Sequence, residues 1–513
     1  MTSKNQHIPL ILLLALSLLI GIFTFQDYGM TWDEELYYQY GEAIGYAYSI
    51  PERLSGDYDL NLAYGPSPDD HRNRGPVYLL IMRVPVNALH ALTKIDKVAL
   101  WHLMNFITYL LGVFYLYKLS LRWLKAESAF AASLLYISQP LLWGHGFINP
   151  KDPPFTTVFL ATLYYGFILV DNLSIAETSR SSRVRQILLV GALIGIATNL
   201  RIIAPLLALL LIIYALTKRQ PRILLWFIPI GTVSLLVLYI TWPYLWDAPI
   251  ARFIEVLTLM SHNPTSLKVL FYGNFYRAFE LPLRYLPVLL GITLTEPTWI
   301  LFGMGLIIAL FRWIRKGRAW SDLGIVLFYF VLLISYVLLI RPPMYDGYRH
   351  FLFILPPVFI VTGFAFEQIF EWMRAKWLRA LFLFAILAIG ISGGAKLHPY
   401  EYTYYNAIVG GTSGAEGTFE TDYWLTCYKE ATEEFNDRFP DGETLIVHRE
   451  AANARYYAAE NIEVVPFRTL ENGDYMLLSS RLNILNITEP HSPNFITVER
   501  DGATFCVIKK VKR

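Results

Sequence analysis

The segment PLILLLALSLLIGIFTF (9–25) is followed within a few residues by TWDEELYY (31–38), which carries three consecutive acids. The first segment is apolar and nearly long enough to cross about 30 Å of hydrocarbon as a helix. Asp33, Glu34 and Glu35 would then lie where the chain leaves the bilayer. A carboxylate at that position is either solvated or used, for example as a catalytic base. This junction therefore predicts a membrane protein with functional groups at the exit of its first helix.

The composition supports a membrane protein. Of the 513 residues, 55% are hydrophobic and 16% are charged, against about 25% charged residues in a typical soluble domain. The net charge is +2, and the basic residues form no stripe with interleaved aromatic side chains. The sequence therefore excludes a simple soluble globule and gives no indication of nucleic-acid binding.

Apolar runs recur through the first 391 residues, and each is long enough, or nearly long enough, to cross the hydrocarbon core. The eleven runs are Pro9–Phe25, Leu100–Tyr117, Ala129–Phe147, Phe155–Val170, Ile187–Leu200, Pro205–Leu216, Ile223–Trp242, Thr298–Phe311, Leu323–Ile340, Phe351–Phe366 and Ala380–Ile391. The predicted fold is mostly α, with a polytopic transmembrane domain at residues 1–391. The first run is interpreted as a retained helix and not as a cleaved signal peptide, because no convincing small-residue cleavage site follows it.

The run from Ile187 to Leu216 is interpreted as two helices. Asn199, Arg201 and Pro205 interrupt it, and an ionised arginine in the middle of a membrane is energetically costly. With this split and a cytoplasmic N-terminus, every short cytoplasmic connection is basic, as the positive-inside rule requires. The basic residues are Lys118, Arg122, Lys125, Arg180, Arg183, Arg185, Lys218, Arg219, Arg222, Arg312, Arg315, Lys316, Arg318, Arg374, Lys376 and Arg379. The sequence thus predicts a cytoplasmic N-terminus and an extracytoplasmic C-terminus.

Four connections are predicted on the outer side. The first covers residues 26–98 and contains Val77–Leu92, whose helical apolar spacing predicts an amphipathic helix in the membrane interface. The second is the short turn Asn149–Pro154, the third is the long segment Pro243–Pro297, and the fourth is Arg341–His350. All four would lie on the same membrane face as the acids at the first junction.

Residues 392–513 have the composition of a soluble domain. Helices are predicted at Lys429–Arg438 and Ala451–Ala459, strands at Thr444–His448 and Ile462–Phe467, and a hairpin at Phe495–Val511 that turns at Asp501-Gly502. This alternation predicts a small extracytoplasmic α/β domain.

Both cysteines of the chain, Cys427 and Cys506, belong to this domain. Sequence separation does not show whether two residues approach within bonding range, so a disulfide and two buried thiols are both open. The sequence has no CxxC pair, His/Cys cluster, phosphate-binding loop or glycine-rich dinucleotide turn. Zinc, nucleotide and redox functions have no support, and no cofactor is assigned; the need for a divalent cation stays open.

The charged side chains of the predicted outer connections come from separate segments but share one face. They are Asp33, Glu34, Lys151, Asp152, Arg201, Arg341, Asp346, Arg349 and His350. Arginine offers planar, bidentate hydrogen bonds to phosphate, and a carboxylate within hydrogen-bond reach can act as a base. The set indicates a reaction in which an anionic leaving group is held while an acceptor hydroxyl loses its proton. Each residue also has a simpler explanation, such as helix capping for Asp152 and interfacial anchoring for Arg201.

Short motifs follow a fixed order relative to the predicted helices. They are Asp33-Glu34 after the first helix, Asn149-Pro150-Lys151-Asp152-Pro153 after the third, Trp242-Pro243-Tyr244-Leu245-Trp246 after the seventh, Asp346-Gly347-Tyr348-Arg349-His350 before the tenth, and His398-Pro399-Tyr400, Tyr405-Asn406 and Gly410-Gly411 after the last. In this order the motifs resemble those of glycosyltransferase family 39, the dolichyl-phosphate-mannose protein mannosyltransferase-like group of the GT-C superfamily.

The resemblance implies an inverting hexosyltransferase that takes a sugar from a polyprenyl-phosphate carrier, undecaprenyl or dolichyl, on the outer face of the membrane. By similarity, Asp33 is the base that activates the acceptor hydroxyl, Glu34 is its partner, and Asp152 is a further catalytic acid. The residues expected to bind substrate are Lys151, Arg201, Tyr345, Arg349 and His350. The acceptor is left open among a lipid, a glycan and a protein. The chain lacks the β-trefoil domain inserted in the protein mannosyltransferases, which argues against a protein. A plasma (inner) membrane is the expected location.

Two other classes of function stay open. A transporter or flippase of lipid-linked sugars would need repeat-related broken helices and charges near the middle of the membrane, and no internal repeat is evident. An inactive scaffold whose soluble domain binds a partner is the other alternative, and the intact Asp33-Glu34 motif argues against it.

Overall fold

A computed structural model describes residues 5–175, 179–261, 265–467 and 474–511 of the chain. In the amino-terminal half, most of the described residues are helical. The α-helices there are α1 (Ile8–Thr24), α2 (Glu34–Ala43), α3 (Ile50–Leu54), α4 (Pro68–His71), α5 (Val77–Thr93), α6 (Lys97–Ser120), α7 (Ala126–Ile137), α8 (Pro140–Ile148), α9 (Asp152–Leu173), α10 (Arg180–Leu200), α11 (Pro205–Thr217) and α12 (Phe227–Thr241).

The next part of the chain contains one small hairpin among further helices. The elements are α13 (Pro249–Ser261), β1 (Lys268–Phe271), β2 (Asn274–Arg277), α14 (Tyr285–Thr293), α15 (Glu296–Lys316), α16 (Ser321–Ile340), α17 (Pro356–Trp372) and α18 (Lys376–Leu397). β1 and β2 pair antiparallel. Short 3₁₀ turns precede α12 at Pro221–Trp226 and α17 at Arg349–Ile354.

The predicted apolar runs all fall on helices. Ten runs coincide with single helices or with a helix and its leading 3₁₀ turn, and the run Ala129–Phe147 corresponds to α7 and α8, which Pro140 separates. In the described part of the chain, seven helical segments are long and apolar enough to cross a membrane: α6, α9, α10, Pro221–Thr241, α15, α16 and α18. Four shorter apolar helices accompany them: α1, α5, α7 and α11. The chain is a mostly helical, multi-pass membrane protein.

The predicted break between Asn199 and Pro205 is confirmed. α10 ends at Leu200 and α11 begins at Pro205, where a proline costs no hydrogen bond because the first helical amide has no partner. The Asn199 side chain accepts a hydrogen bond from the Val77 amide (2.9 Å) and donates to the Thr241 hydroxyl (3.1 Å). These hydrogen bonds link the break to the first residue of α5 and to the last residue of α12.

Close packing of α10 against α12 depends on two glycines spaced four residues apart. A Cβ at Gly191 would lie 2.8 Å from the Ile230 carbonyl oxygen, and a Cβ at Gly195 would lie 2.6 Å from that of Ser234. Small residues at this spacing let helix backbones approach in membranes, where apolar side chains gain little from contact with one another. The contact between α10 and α12 therefore depends on close backbone packing.

A small α/β domain follows α18. Its elements are α19 (Gly411–Ala415), α20 (Tyr428–Arg438), β3 (Glu443–Val447), α21 (Ala451–Tyr457), β4 (Ile462–Pro466), β5 (Tyr475–Ser479), α22 (Ile484–Ile487), β6 (Asn494–Arg500) and β7 (Ala503–Lys510). The strand order is β4-β3-β5-β7-β6. β3 is parallel to β4 and β5, and β7 is antiparallel to β5 and β6.

Most of the elements predicted for this domain are present. The hairpin turns at Asp501 and Gly502, whose φ angles of 50° and 75° are those of the mirror-image turns that match strand twist. β5 was not predicted, although it is fully buried at the centre of the sheet. α18 continues to Leu397, past the expected boundary at residue 391. Cys427 and Cys506 form a disulfide.

The α/β domain lies directly on the turn that follows α1. The Met30 amide donates to the Tyr457 hydroxyl (2.8 Å), and Asn453 donates to the Met30 carbonyl oxygen (2.9 Å). The Trp32 amide donates to the Trp424 carbonyl oxygen (3.2 Å). The segment that carries Asp33 is thus enclosed between the helices and the sheet domain.

Candidate active site

The two acids of the first motif lie in different surroundings. Asp33 immediately precedes α2, and its side chain is 34% exposed. The Glu34 side chain is fully buried; its carboxylate accepts hydrogen bonds from the Thr31 amide (2.7 Å) and the Tyr38 hydroxyl, and lies 3.2 Å from the His102 ring. Glu34 therefore holds the turn in place, and Asp33 is the accessible carboxylate.

The turn before α9 fixes Asp152. The Asn149 side-chain oxygen accepts from the amides of Lys151 (3.1 Å) and Asp152 (2.9 Å), and its amide group donates to the Asp152 carboxylate (2.9 Å). Asparagine commonly closes such turns by bonding to the backbone two residues on. Asp152 is buried and also accepts a hydrogen bond from Arg201, at the carboxyl end of α10.

A tight turn before α17 carries Arg349 into the same place. Asp346 and Gly347 have φ angles of 55° and 68°, a left-handed conformation that glycine adopts freely and aspartate tolerates. One terminal nitrogen of Arg349 lies 3.2 Å from an Asp33 oxygen and 3.2 Å from an Asp346 oxygen. Its other terminal nitrogen lies 3.9 Å from Asp152. Arg349 thus joins three acids from three segments.

Aromatic rings and further cations surround this centre. The Arg349 guanidinium lies 5.3 Å from the Tyr345 ring, which packs edge-on against His350 at 4.9 Å. The Lys151 ammonium lies 5.6 Å from the Tyr37 ring. Such cation–ring contacts attract weakly and orient the charged groups.

The cluster contains more ionisable cations than acids. Its acids are Asp33, Asp152 and Asp346, and its permanent or ionisable cations are Lys151, Arg201, Arg349 and Arg481. Arg74 lies beside Tyr37 and is itself paired with Asp70. With Lys151 protonated, the cluster has a net positive charge, which suits an anionic ligand such as a phosphate.

The pKa values of three basic groups in the cluster are lowered, as expected where cations lie close together without enough acids to pair with them. Burial lowers the pKa of Lys151 well below its ordinary value, and Arg74 and Arg201 lower it further. Burial and then Arg349 lower the pKa of Arg201 to about 10. The pKa of His350 falls well below its ordinary value for the same two reasons. A bound anion would attract each of these cations and so offset the repulsion among them.

Asp33 differs from the other acids of the cluster in its access to solvent. Its side chain is 34% exposed, against 2% for Asp152 and 0% for Asp346. A cleft of about 330 Å³ opens beside the cluster and is lined in part by Tyr37, Arg74 and Lys151. The arrangement offers one accessible carboxylate next to a group of cations.

The structure brings together seven of the eight residues predicted for the site. Asp33, Lys151, Asp152, Arg201, Tyr345, Arg349 and His350 form one cluster. Glu34 lies behind it, as described above. Arg341, also expected on this face, is exposed at the end of α16 and lines a different cleft with Phe279 and Leu283. That placement follows from its left-handed backbone (φ 53°), which turns the chain away from the helix axis.

Arg481 is the residue that sequence reasoning missed. It comes from the α/β domain and donates to Asp346 at 2.7 Å. Its surroundings in the sequence, Ser480 and Leu482, carry no motif. Asp346, its partner, was among the charged side chains expected on the outer face, although no role in the site was assigned to it.

Metal ligation has one geometric candidate in the described ranges. Asp422, Cys427 and Cys506 place ligand atoms within 4.8 Å of one another. The two cysteines form a disulfide, so their sulfurs are not available as the thiolates that bind metals.

The sequence profile of the dolichyl-phosphate-mannose-protein mannosyltransferase family matches residues 86–246. This segment contains the Asn149–Asp152 turn and Arg201. The family resemblance inferred from the motifs is thereby confirmed for this part of the chain. No curated protein matches the sequence.

Solved structures show the same fold over nearly the whole chain. ArnT from Cupriavidus metallidurans in the apo state matches with a TM-score of 0.54 at 12% identity, covering 99% of this chain and 98% of ArnT. ArnT bound to undecaprenyl phosphate matches with a TM-score of 0.51 at 12% identity, covering 97% of each chain. The apo oligosaccharyltransferase of Archaeoglobus fulgidus gives 0.52 at 10% identity, covering 93% of this chain and 70% of that one. The fold is that of the GT-C glycosyltransferases, and together with the profile match it supports a membrane glycosyltransferase of this kind.

Proposed function

We propose that the protein transfers a sugar from a polyprenyl-phosphate carrier to the hydroxyl of an extracytoplasmic acceptor, with inversion at the anomeric carbon. The observation that carries the proposal is the position of Arg349, which contacts the partly exposed carboxylate of Asp33 and lies 3.9 Å from Asp152, the partner of Arg201. A base and a phosphate site are thus adjacent, which is what such a transfer needs.

In the proposed reaction, Asp33 accepts a hydrogen bond from the acceptor hydroxyl. As the bond between the anomeric carbon and the phosphate oxygen breaks, the acceptor oxygen attacks that carbon from the opposite side, and its proton passes to Asp33. The electron pair of the broken bond stays with the polyprenyl phosphate. Attack opposite to the leaving group inverts the configuration.

The leaving phosphate would lie among Lys151, Arg201, Arg349 and His350. Arginine holds phosphate oxygens through paired hydrogen bonds, and preorganised cations stabilise charge as it develops on the leaving group. The low pKa of Lys151 in the free protein fits this role, because the incoming phosphate supplies the negative charge that the cluster lacks. Asp152 would keep Arg201 and Arg349 oriented.

The carrier class is inferred from chemistry and from one neighbour of the same fold. ArnT is described with undecaprenyl phosphate bound, a lipid phosphate that would suit a cationic site at the ends of apolar helices. The positive-inside distribution favours a cytoplasmic N-terminus and a site on the outer face. The ion cluster lies at the ends of helices α9 and α10 and not along their middle turns, which favours transfer over the transport alternative.

The test is release of polyprenyl phosphate from a panel of polyprenyl-phosphate sugars by the purified full-length protein. Wild type should turn over at least one donor, and Asp33→Asn should lower the rate by about a hundredfold or more, as expected for loss of a general base. Asp69→Asn, which changes a 90% exposed acid of the same loop, should leave the rate unchanged. No turnover with any donor, together with saturable donor binding by wild type and Asp33→Asn alike, would reject the transferase.

A further inference from the structure

Arg481 belongs to the α/β domain but is buried against the membrane domain. It follows β5, and its side chain is 1% exposed. One terminal nitrogen donates to an Asp346 oxygen at 2.7 Å and to the Tyr423 carbonyl oxygen. The Nε and the other terminal nitrogen of Arg481 are buried without a hydrogen-bond partner among the described residues, so Asp346 and the Tyr423 carbonyl oxygen are the acceptors that offset its loss of hydration.

Asp346 divides its two carboxylate oxygens between two arginines. One oxygen accepts from Arg481, and the other accepts from Arg349 at 3.2 Å. The same Arg349 nitrogen lies 3.2 Å from Asp33. Arg481 therefore connects to Asp33 through three consecutive charge-assisted contacts, by way of Asp346 and Arg349.

Arg481 also contacts the neighbour of Asp33 in the chain. Its guanidinium lies 4.1 Å from the centre of the Trp32 ring. The Trp32 amide is bonded to the Trp424 carbonyl oxygen, and the Trp424 ring lies 4.8 Å from Arg349. The segment that carries Asp33 is therefore held from two directions by groups that follow α18.

Left-handed backbone occurs on both sides of the Asp346–Arg481 contact, and Leu482 is the residue there that rarely adopts it. Leu482 and Asn483, directly after Arg481, have φ angles of 55° and 57°, and Asp346 has a φ of 55°. Non-glycine residues in this region cost free energy and persist where surrounding contacts require them, often at functional sites.

We propose that Arg481 is a positioning residue of the transferase proposed above. It neutralises Asp346, so that Arg349 is shared evenly with Asp33 and stays available to the donor phosphate. Without Arg481, the buried charge of Asp346 has Arg349 as its remaining cationic contact in the described ranges. Coulomb attraction would then draw Arg349 toward Asp346 and away from the partly exposed Asp33.

The test compares Arg481→Lys, Arg481→Met and the double variant Asp346→Asn/Arg481→Met in the full-length protein. Arg481→Met should lower kcat/KM about tenfold or more, and the acidic limb of its pH–rate profile should move to higher pH, because ionised Asp33 loses its cationic neighbour. Arg481→Lys should keep more activity. The double variant should recover most of the activity, because asparagine tolerates the left-handed turn and removes the Asp346 charge that Arg481 balances.

A matched control separates positioning from stability of the domain. Arg500→Met removes an ion pair with Glu430 (2.7 Å) in the same domain, away from the cluster, and should leave the pH profile unchanged. The inference is overturned if Arg481→Met keeps the wild-type pH profile and kcat/KM, or if the double variant is no more active than Arg481→Met. Absence of turnover in the wild type would instead reject the proposed function.

Discussion

Arg201→Met should destabilise the protein through the acid that it leaves behind. Asp152 is 2% exposed, and Arg201, which pairs with it, is 21% exposed. Removing one partner of a fully buried ion pair costs about 3–5 kcal/mol. The cost here should be nearer about 2 kcal/mol, because Arg201 is partly solvated and Arg349 lies 3.9 Å from Asp152, near enough to offset part of its charge.

The measurement is a double-mutant cycle on the free energy of unfolding, with Arg201→Met, Asp152→Asn and their combination unfolded by denaturant in lipid–detergent micelles. Because the double variant leaves no unpaired charge, its cost should be about 2 kcal/mol less than the sum of the two single costs. The exposed pair Asp69 and Arg72, at 3.1 Å, serves as control and should show coupling of about 0.5 kcal/mol or less. Equal coupling in the two pairs would refute the claim that the cluster is electrostatically buried.

Three further predictions concern single groups. Lys151→Met should weaken donor binding about tenfold or more. In wild type, donor binding should tighten as pH falls, because the bound phosphate raises the lowered pKa of Lys151 and binding therefore takes up a proton. Titration calorimetry at several pH values would show no such trend if Lys151 does not face the phosphate. Burial lowers the pKa of His398, but Glu401 and Asp27 together raise it more, to about 9. Since the folded pKa exceeds the unfolded one, the excess of the wild-type Tm over that of His398→Asn should be largest below about pH 6.5 and should be lost as pH rises through 9. A constant difference in Tm would contradict the assignment. Cys427→Ser breaks the bridge to Cys506 across 79 residues and should lower the free energy of unfolding by about 2–4 kcal/mol; an unchanged denaturation midpoint would contradict a stabilising disulfide.

The membrane part of the fold could be predicted because its determinants are local. Long apolar runs define helices, and Asn199 and Pro205 mark the break between α10 and α11 by properties that each residue carries in any context. The Asp501-Gly502 turn could be predicted for the same reason, because an Asp-Gly pair favours a tight hairpin turn in any context. β5 was not predicted, because a short, wholly buried strand lacks the polar alternation by which strands are recognised.

The site could be predicted only in part, because contacts between distant segments set its geometry. Asp33, Asp152 and Arg349 follow from their positions at predicted helix ends on one membrane face. The burial of Glu34 depends on His102, more than sixty residues away, and the role of Arg481 depends on how the α/β domain is seated. No local sequence pattern indicates either contact.

In the proposed reaction, Asp33 and the neighbouring cations have separate roles: Asp33 takes the proton, and the cations bind the phosphate. The most direct test measures equilibrium binding of a polyprenyl-phosphate sugar and its single-turnover transfer for Asp33→Asn and Lys151→Met side by side. We expect Asp33→Asn to bind the donor nearly as wild type does but to transfer about a hundredfold more slowly. Lys151→Met should bind the donor about tenfold more weakly and, once saturated, should transfer more slowly than wild type but faster than Asp33→Asn. Wild-type transfer by Asp33→Asn, or equal loss of binding in both variants, would contradict these roles.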